Sequence, residues 1–442
     1  MKHSRLFAIL SIILSLLIIG LAPLARLAKP FLPFANYLLG SNKPTSYLIL
    51  LGNDAEMRAN GGFAGSYAKI ILSPKRLDSL SSRFLEFSPE ISFQDIYVPN
   101  GQLKGYVTPP EPIQEAFKHG TWQLANADWE PDFPTSATTL RWFMEKGSEI
   151  NPDNLIILNL TTIKKILDVV GPFTVSDYNA KITPDNLYLF LQGKAEVGFF
   201  PGSTQKKDAL TAVGQSLKKA ILKLPLTKKI KIAQILYQDL KNQNIVVNSS
   251  NPDFQALLEK QNFAGKLTSQ TPDTYSLVET NLGANKANAY VTRNTTHTIY
   301  FAENQTKHLV TVKFQNSSQE ANPNPPFHYG GNYIAYLRFY IPDNAQNIKI
   351  DREVTSPEDK TSPKYKPVVT SKKYGFTELG FWQTTLAQNI STITLSYTLP
   401  LSAENYALTI LKQHGLTTSP QSIKIGDETL ETDLENDFLI VP

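Results

Sequence analysis

The 442-residue sequence predicts an α/β protein with a transmembrane helix before it, a helical region within it and an all-β sandwich after it. Three observations predict this. Residues 6–25 carry no charge and are mostly Leu, Ile and Ala. Between 46 and about 280, short apolar runs bounded by Gly, Asn and Pro alternate with stripes of helical period. From 281 onward the apolar runs are β-rich and separated by Asn, Pro, Gly and Ser. The length allows two or three domains, and 41% hydrophobic residues can fill their cores.

Residues 6–25 would span ~30 Å as a helix at ~1.5 Å per residue, enough for a hydrocarbon core. Lys2 and Arg5 favour a cytoplasmic N-terminus, although Arg26 and Lys29 on the far side reduce the asymmetry. Every candidate cleavage site places Pro23 or Arg26 at a position that needs a small residue, so the stretch reads as an uncleaved signal anchor. The expected organisation is then a cytoplasmic tip and anchor over 1–29 and a Pro-stiffened stalk over 30–45. An α/β domain over 46–180, a helical region completing it over 181–280 and a β-sandwich over 281–442 follow. The expected location is the cell membrane, single-pass, with the bulk of the chain extracytoplasmic and the cytoplasmic membrane as partner.

Residues 47–51 (YLILL) form a short run closed by Gly52 and Asn53, the pattern of a strand buried on both faces, and 66–72 repeat it. Asp54, Glu56 and Arg58 are expected in the connection off the ends of these central strands, where α/β sheets bind ligands. Gly61, Gly62 and Gly65 let the backbone approach an anion, or equally make a tight turn or bulge. No Gly-Lys-Ser/Thr follows, so this is not a Walker loop. Asp95 sits in the next conspicuous stretch, FQDIYVPNG at 93–101.

The stretch NADWEPDFPTSA at 126–137 places Asp128 and Asp132 before a helix that Thr135 or Ser136 would cap and that buries Leu140, Phe143 and Met144. The two aspartates read either as ligands of a cation or a substrate hydroxyl, or as acceptors for loop amides and the helix start. Residues 154–158, a helix capped by Thr161 or Thr162, and 173–175 read as a βαβ unit. Further on, Leu210, Val213, Leu217, Ile221 and Leu224 form one helical stripe, and Ile230, Ala233, Leu236, Tyr237 and Leu240 a second after Pro225. Lysines crowd this pair, either as a solvated face or as a contact for anionic lipid or polymer. In 333–341, Tyr333, Ala335, Leu337 and Phe339 alternate with Ile334, Tyr336, Arg338 and Tyr340, giving a strand with two unlike faces.

The composition excludes several classes. There is no cysteine, hence no disulfide, thiolate nucleophile or Cys-held metal. Six histidines are scattered without ligand-like spacing. A formal charge of +4 is small for this length and calls for no nucleic acid.

The stretches LLGND, RANGGFAGSY, NADWEPDFPTSA, ILDVVGPFTV, VETNLGANKANAYVTR and YTLPLSAENYALTILKQHG together resemble a bacterial family catalogued as domain of unknown function 4012. The resemblance implies a membrane-anchored extracytoplasmic protein without an assigned activity. Over 46–176 the chain is also similar to the LytR-CpsA-Psr phosphotransferases, which move glycopolymers from polyprenyl pyrophosphate to the cell wall. Leu50-Leu51-Gly52-Asn53-Asp54 with Arg58-Ala59-Asn60, and Gln94-Asp95-Ile96-Tyr97-Val98, look like that family's motifs. That likeness implies an α/β/α LytR-CpsA-Psr-like domain in which Asp54 and Asp95 would hold Mg2+ and Arg58 and Asp95 would be catalytic. Asn60 and Gln94 stand where the family has a carboxylate and an arginine, which argues against full activity.

The expected function is therefore an envelope protein binding, and transferring if it is an enzyme, a polyprenyl-pyrophosphate-linked glycopolymer or cell-wall polymer. Asp54, Arg58, Asn60, Gly61, Gly62, Gln94, Asp128 and Asp132 would bind the ligand. The alternative is a non-catalytic envelope binding or scaffold protein acting through its β-sandwich.

Overall fold

A five-stranded mixed sheet forms the centre of the N-terminal domain in the computed structural model, which describes residues 28–75, 86–87, 89–118, 120–197, 203–319, 330–352 and 367–441. Its strands are β1 (Thr45–Arg58), β2 (Gly61–Leu72), β3 (Glu90–Asp95), β4 (Asn154–Asn159) and β5 (Ile245–Ser249), in the order β3-β2-β1-β4-β5. Only the β1–β4 pair is parallel.

β1 is much longer than its apolar run. Pairing with β2 carries it past Gly52 and, after an irregularity between Asn53 and Met57, on to Arg58. Glycine allows this: a Cβ on Gly62 would fall 2.1 Å from the Asn53 carbonyl carbon. The charged residues between the two runs thus stand on strand, and Ala59-Asn60 alone makes the turn.

One sheet face presents Leu48, Leu50, Leu155 and Ile157, all buried under α1 (Phe133–Lys146) with its Phe133, Ala137, Leu140, Phe143 and Met144. Each large apolar side chain buried there contributes roughly 1.5–3 kcal/mol. The other face presents Ile49, Leu51, Ala68 and Ile70, of which Ala68 alone is fully buried. Over it lie α2 (Leu160–Val170), α3 (Leu187–Glu196) and α4 (Gln205–Lys223). α4 approaches the sheet most closely at Gly214, where an added Cβ would fall 2.4 Å from the Phe93 ring. α5 (Leu226–Lys241) starts after Pro225, and α6 (Pro252–Lys260) is capped by Asn251.

Two connections differ from expectation. Phe173–Val175 does not join the main sheet; three residues long, it pairs locally with Ala180–Ile182 through a turn in which Asn179 is left-handed. Residues 29–38, within the expected stalk, form two short helical turns whose Phe31, Phe34, Tyr37 and Leu38 pack on Phe254 and Phe263.

The C-terminal part is a sandwich of two six-stranded sheets. Its strands are β6 (Asp273–Asn281), β7 (Val291–Ala302), β8 (Gln305–Asn316), β9 (Tyr333–Pro342), β10 (Gln346–Arg352), β11 (Val369–Lys373), β12 (Phe376–Thr385), β13 (Asn389–Leu399), β14 (Leu408–Leu411), β15 (Pro420–Ile425), β16 (Glu428–Asp433) and β17 (Phe438–Ile440). The sheets run β11-β12-β9-β6-β14-β17 and β10-β13-β8-β7-β15-β16. Tyr333, Ala335, Leu337 and Phe339 of β9 enter the core between them. The opposite face is buried too, against the α/β domain. Arg338 lies 4.3 Å over the Trp129 ring and donates to the Trp129 carbonyl, while Tyr336 packs with Trp129 and Trp382. Tyr336 is thus an interface residue.

The expected transmembrane helix is corrected. Among the described residues no helix is long and apolar enough to cross a membrane. The longest, α4, carries five lysines and an aspartate in 19 residues, which the hydrocarbon core would penalise heavily. Residues 6–25, on which the signal-anchor reading and the single-pass membrane location rested, lie outside the described residues. The supported architecture is an α/β core with a helical insertion and a β-rich C-terminal region.

Candidate functional site

The looser sheet face opens onto a cavity of about 1510 Å³. Small-molecule pockets usually measure about 300–1,000 Å³, so this one suits a longer ligand. Its floor is Ile49, Leu51, Ala68, Ile70 and Phe93, its flank Leu160 and Ile163 of α2, and its roof Leu187 and Leu191 of α3 with Leu210, Val213, Leu217 and Ile221 of α4. The roof residues of α4 belong to the amphipathic stripe visible in the sequence; Val213 and Leu217 also pack with Leu167, Leu187 and Leu191 of α2 and α3, and Ile221 with Ile166 and Val169 of α2.

Polar groups gather where β1, β2 and β3 end. Arg58, its side chain 4% exposed, donates from Nη1 to the Asn281 carbonyl at 2.6 Å and from Nη2 to Glu56 Oε1 at 2.9 Å. Lys286, from the loop after β6, is paired with the other oxygen of Glu56. Both cations lie against the Phe63 ring, at 4.8 and 5.7 Å from its centroid. Burial penalises the Glu56 carboxylate, but Arg58 and Lys286 outweigh it and hold its pKa below the ordinary value. On β3, across β2 from β1, Asp95 accepts from Lys206 of α4 at 3.1 Å, and Lys206 also donates to the Gly65 carbonyl. The arrangement is an apolar chamber with a compensated cluster of cations at one end, suited to binding an amphiphile.

Arg58, Gln94 and Asp95 line this cavity. Asp54 does not: its carboxylate accepts from the Thr161 backbone N–H at 3.2 Å and from the Thr161 hydroxyl, at the start of α2. The two residues proposed as Mg2+ ligands therefore do not offer a shared donor set to the cavity. Among the described residues no group of three or more His, Cys, Asp or Glu side chains is placed to hold a metal.

Asn60 and Asp128 meet elsewhere, in the joint between domains. Asn60 Nδ2 donates to Asp128 Oδ1 at 2.6 Å, and Asn60 Oδ1 lies 2.8 Å from His414 Nδ1. Burial raises the Asp128 pKa to about 6 and lowers that of His414 to about 3. Asp132 caps α1 through Thr135 and accepts from the Leu267 N–H, so loop and helix start use it fully. Gly61 and Gly62 line the Asn159 side chain and the β1 backbone, not the cavity. Glu56, named with Asp54 and Arg58 at the strand ends, also lines the cavity, as do Lys206 and Lys286, which the sequence did not single out as site residues. Lys206 belongs to the visible lysine crowd, and Lys286 to the VETNLGANKANAYVTR stretch, but nothing local points either one at the sheet.

The family described as protein of unknown function (DUF4012) matches residues 42–195. Residues 42–195 are a DUF4012-like domain. No curated protein matches the chain. Solved structures similar to it include TagV of B. subtilis, 14% identical over 53% of this chain and 87% of TagV, with a TM-score of 0.30. The Lin1025 protein of Listeria innocua is 12% identical over 53% of this chain and 86% of its own, with a TM-score of 0.28. A transcriptional regulator (EF0465) from Enterococcus faecalis is 10% identical over 50% and 72%, with a TM-score of 0.25. At TM-scores of 0.30 or less these likenesses assign no superfamily and no reaction to the chain.

Proposed function

We propose that the DUF4012-like domain binds a long-chain lipid through an anionic, phosphate-type head group and holds it without transferring it. The observation that supports this is the cavity itself. An apolar sheet face and an apolar helical stripe meet at Phe93 and Gly214 and elsewhere leave a cavity of about 1510 Å³ between them, and cations sit at one end. Bringing an apolar chain out of water against these walls would gain roughly 25 cal/mol per Å2 buried. The resemblance to LytR-CpsA-Psr proteins makes a polyprenyl chain carrying a phosphate-linked sugar the fitting ligand class, as expected of a lipid-linked glycopolymer. Holding is favoured over transfer because Glu56 and Asp95, the carboxylates beside the cations of the cavity, are each paired with a cation, and Asp54 serves α2. In this reading the sandwich is a partner in the site, since it supplies Lys286.

The test is titration of the full-length protein with a polyprenyl phosphate, with the parent polyprenol and with inorganic phosphate, in the presence and absence of Mg2+. The lipid phosphate is expected to raise the melting temperature most, the polyprenol less and inorganic phosphate not at all. Arg58→Met is expected to reduce the response to the lipid phosphate toward that of the polyprenol. Equal responses of Arg58→Met and wild type, or none to either lipid, would reject the reading. Release of the head group during incubation would favour transfer over holding.

A further inference from the structure

The cation seat at the end of the cavity already contains an anion of the protein's own. Glu56 reaches Arg58 with one carboxylate oxygen and Lys286 with the other, and its side chain is 5% exposed. Arg58 Nη1 is taken by the Met57 and Asn281 carbonyls, and Nη2 by Glu56. Arg58 Nε is buried and has no hydrogen-bond partner among the described residues. On β3, two strands from Glu56, Asp95 compensates Lys206. The other lysines at the wall, Lys207 and Lys218, stand on α4, and Lys218 is exposed to solvent.

We infer that Glu56 is a built-in counter-ion that sets the head-group charge the site accepts, favouring a lipid phosphodiester over the corresponding lipid pyrophosphate. This rests on the lipid reading above. Two cations against one carboxylate leave the seat with a single net positive charge, matching the single negative charge of a phosphodiester. A pyrophosphate bridge brings a second negative charge beside the Glu56 carboxylate, in a place where little water remains to screen it. Like charges forced together away from water are costly, and a site discriminates by such repulsion as much as by attraction. Glu56 is also where the domains meet over the ligand: it belongs to β1, and Lys286 comes from the sandwich.

The experiment compares two synthetic probes, a polyprenyl phosphodiester bearing one sugar and its pyrophosphate counterpart, on full-length protein by calorimetric or thermal-shift titration. Wild type is expected to bind the phosphodiester about tenfold or more tightly. Glu56→Gln is expected to erase or reverse that ranking, because the seat then carries one more net positive charge. Glu56→Gln leaves two buried cations together and is prone to misfold, so a charge-balanced double variant, Glu56→Gln with Lys286→Gln, accompanies it. That variant returns the seat to one net positive charge on Arg58 and is expected to restore the wild-type ranking. A wild type that prefers the pyrophosphate, or a ranking that all folded variants share, overturns the inference while leaving the lipid reading in place. Absence of binding of either probe to wild type overturns the lipid reading, and this inference with it.

Discussion

Asp54 shows how far a residue's type can be from its task. Its place after Leu-Leu-Gly-Asn suits a metal ligand, yet its carboxylate caps a helix that begins 106 positions later at Leu160, through Thr161. Loss of such a cap costs about 1 kcal/mol. Asp54→Ala is therefore expected to lower the urea midpoint by an amount equivalent to about 1 kcal/mol and to leave lipid affinity within about twofold of wild type. A large loss of lipid affinity with unchanged stability would return Asp54 to the site. Burial raises the Asp54 pKa, with Thr161 opposing it, as befits a carboxylate enclosed by its partner. Arg58 and Asp95 could be picked from the sequence because charged residues beside apolar strand runs are uncommon. Glu56 lay in the same stretch, but its role depends on Lys286, 230 positions away.

At the scale of elements, α4 carries the clearest message. Its stripe has the period of a core-facing helix, and periodicity alone cannot tell a packed neighbour from an empty chamber. Filling the chamber distinguishes them. Leu210→Trp adds volume where a packed core would be strained by about 1–3 kcal/mol, whereas a cavity wall accepts it. The expected outcome is an unchanged or higher melting temperature with lipid binding weakened at least about tenfold. A clear drop in melting temperature would mean that the space is not there. The glycines of the β1–β2 turn teach the reverse lesson. Gly61-Gly62 looks like a cradle for an anion, but the room beside each is filled by Asn53 and Asn159, and Gly61 takes φ +148°. Gly62→Ala is expected to disrupt the end of the β1–β2 ladder and cost about 1–3 kcal/mol, read from the denaturation midpoint.

At the scale of the molecule, the two domains share buried polar groups, and these govern the response to pH. Gln413, 2% exposed, donates to the carbonyls of Arg58 and Glu279 and accepts from the Glu279 N–H, tying β1 to β6. Gln413→Ala leaves those groups unpaired and is expected to cost about 1–3 kcal/mol in unfolding free energy. His297 in the sandwich and His414 at the joint are both buried, and burial lowers each pKa from 6.5 to about 3. Each contributes stability that is present above pH 6.5 and is lost as pH falls toward 3, because the unfolded chain takes up the proton first. Between pH 6.5 and about 5 that loss is about 2 kcal/mol for each histidine. Asp128 acts in the opposite sense: burial raises its pKa to about 6, so its contribution is present below 3.8 and lost as pH rises through 6. The two histidines outweigh it. Urea midpoints measured across this range are expected to fall on acidification, by the equivalent of roughly 2–3 kcal/mol. A flat or rising profile would contradict the burial of these histidines.

The sequence by itself determined the elements whose signal is local. These include the apolar runs that became β1, β2 and β4, the stripes that became α1, α4 and α5, and the alternation that gave β9 two unlike faces, because strand and helix periods are written in neighbouring residues. Only the tertiary structure decided what those faces meet. The same kind of apolar stripe closes a core on α1 and, on α4, partly packs on α2 and α3 and partly lines a chamber. The cation seat was undecidable for the same reason: Glu56, Arg58 and Lys286 become one site only when the sandwich docks on the end of the sheet, and pairing across such separations is set by packing, not by pattern.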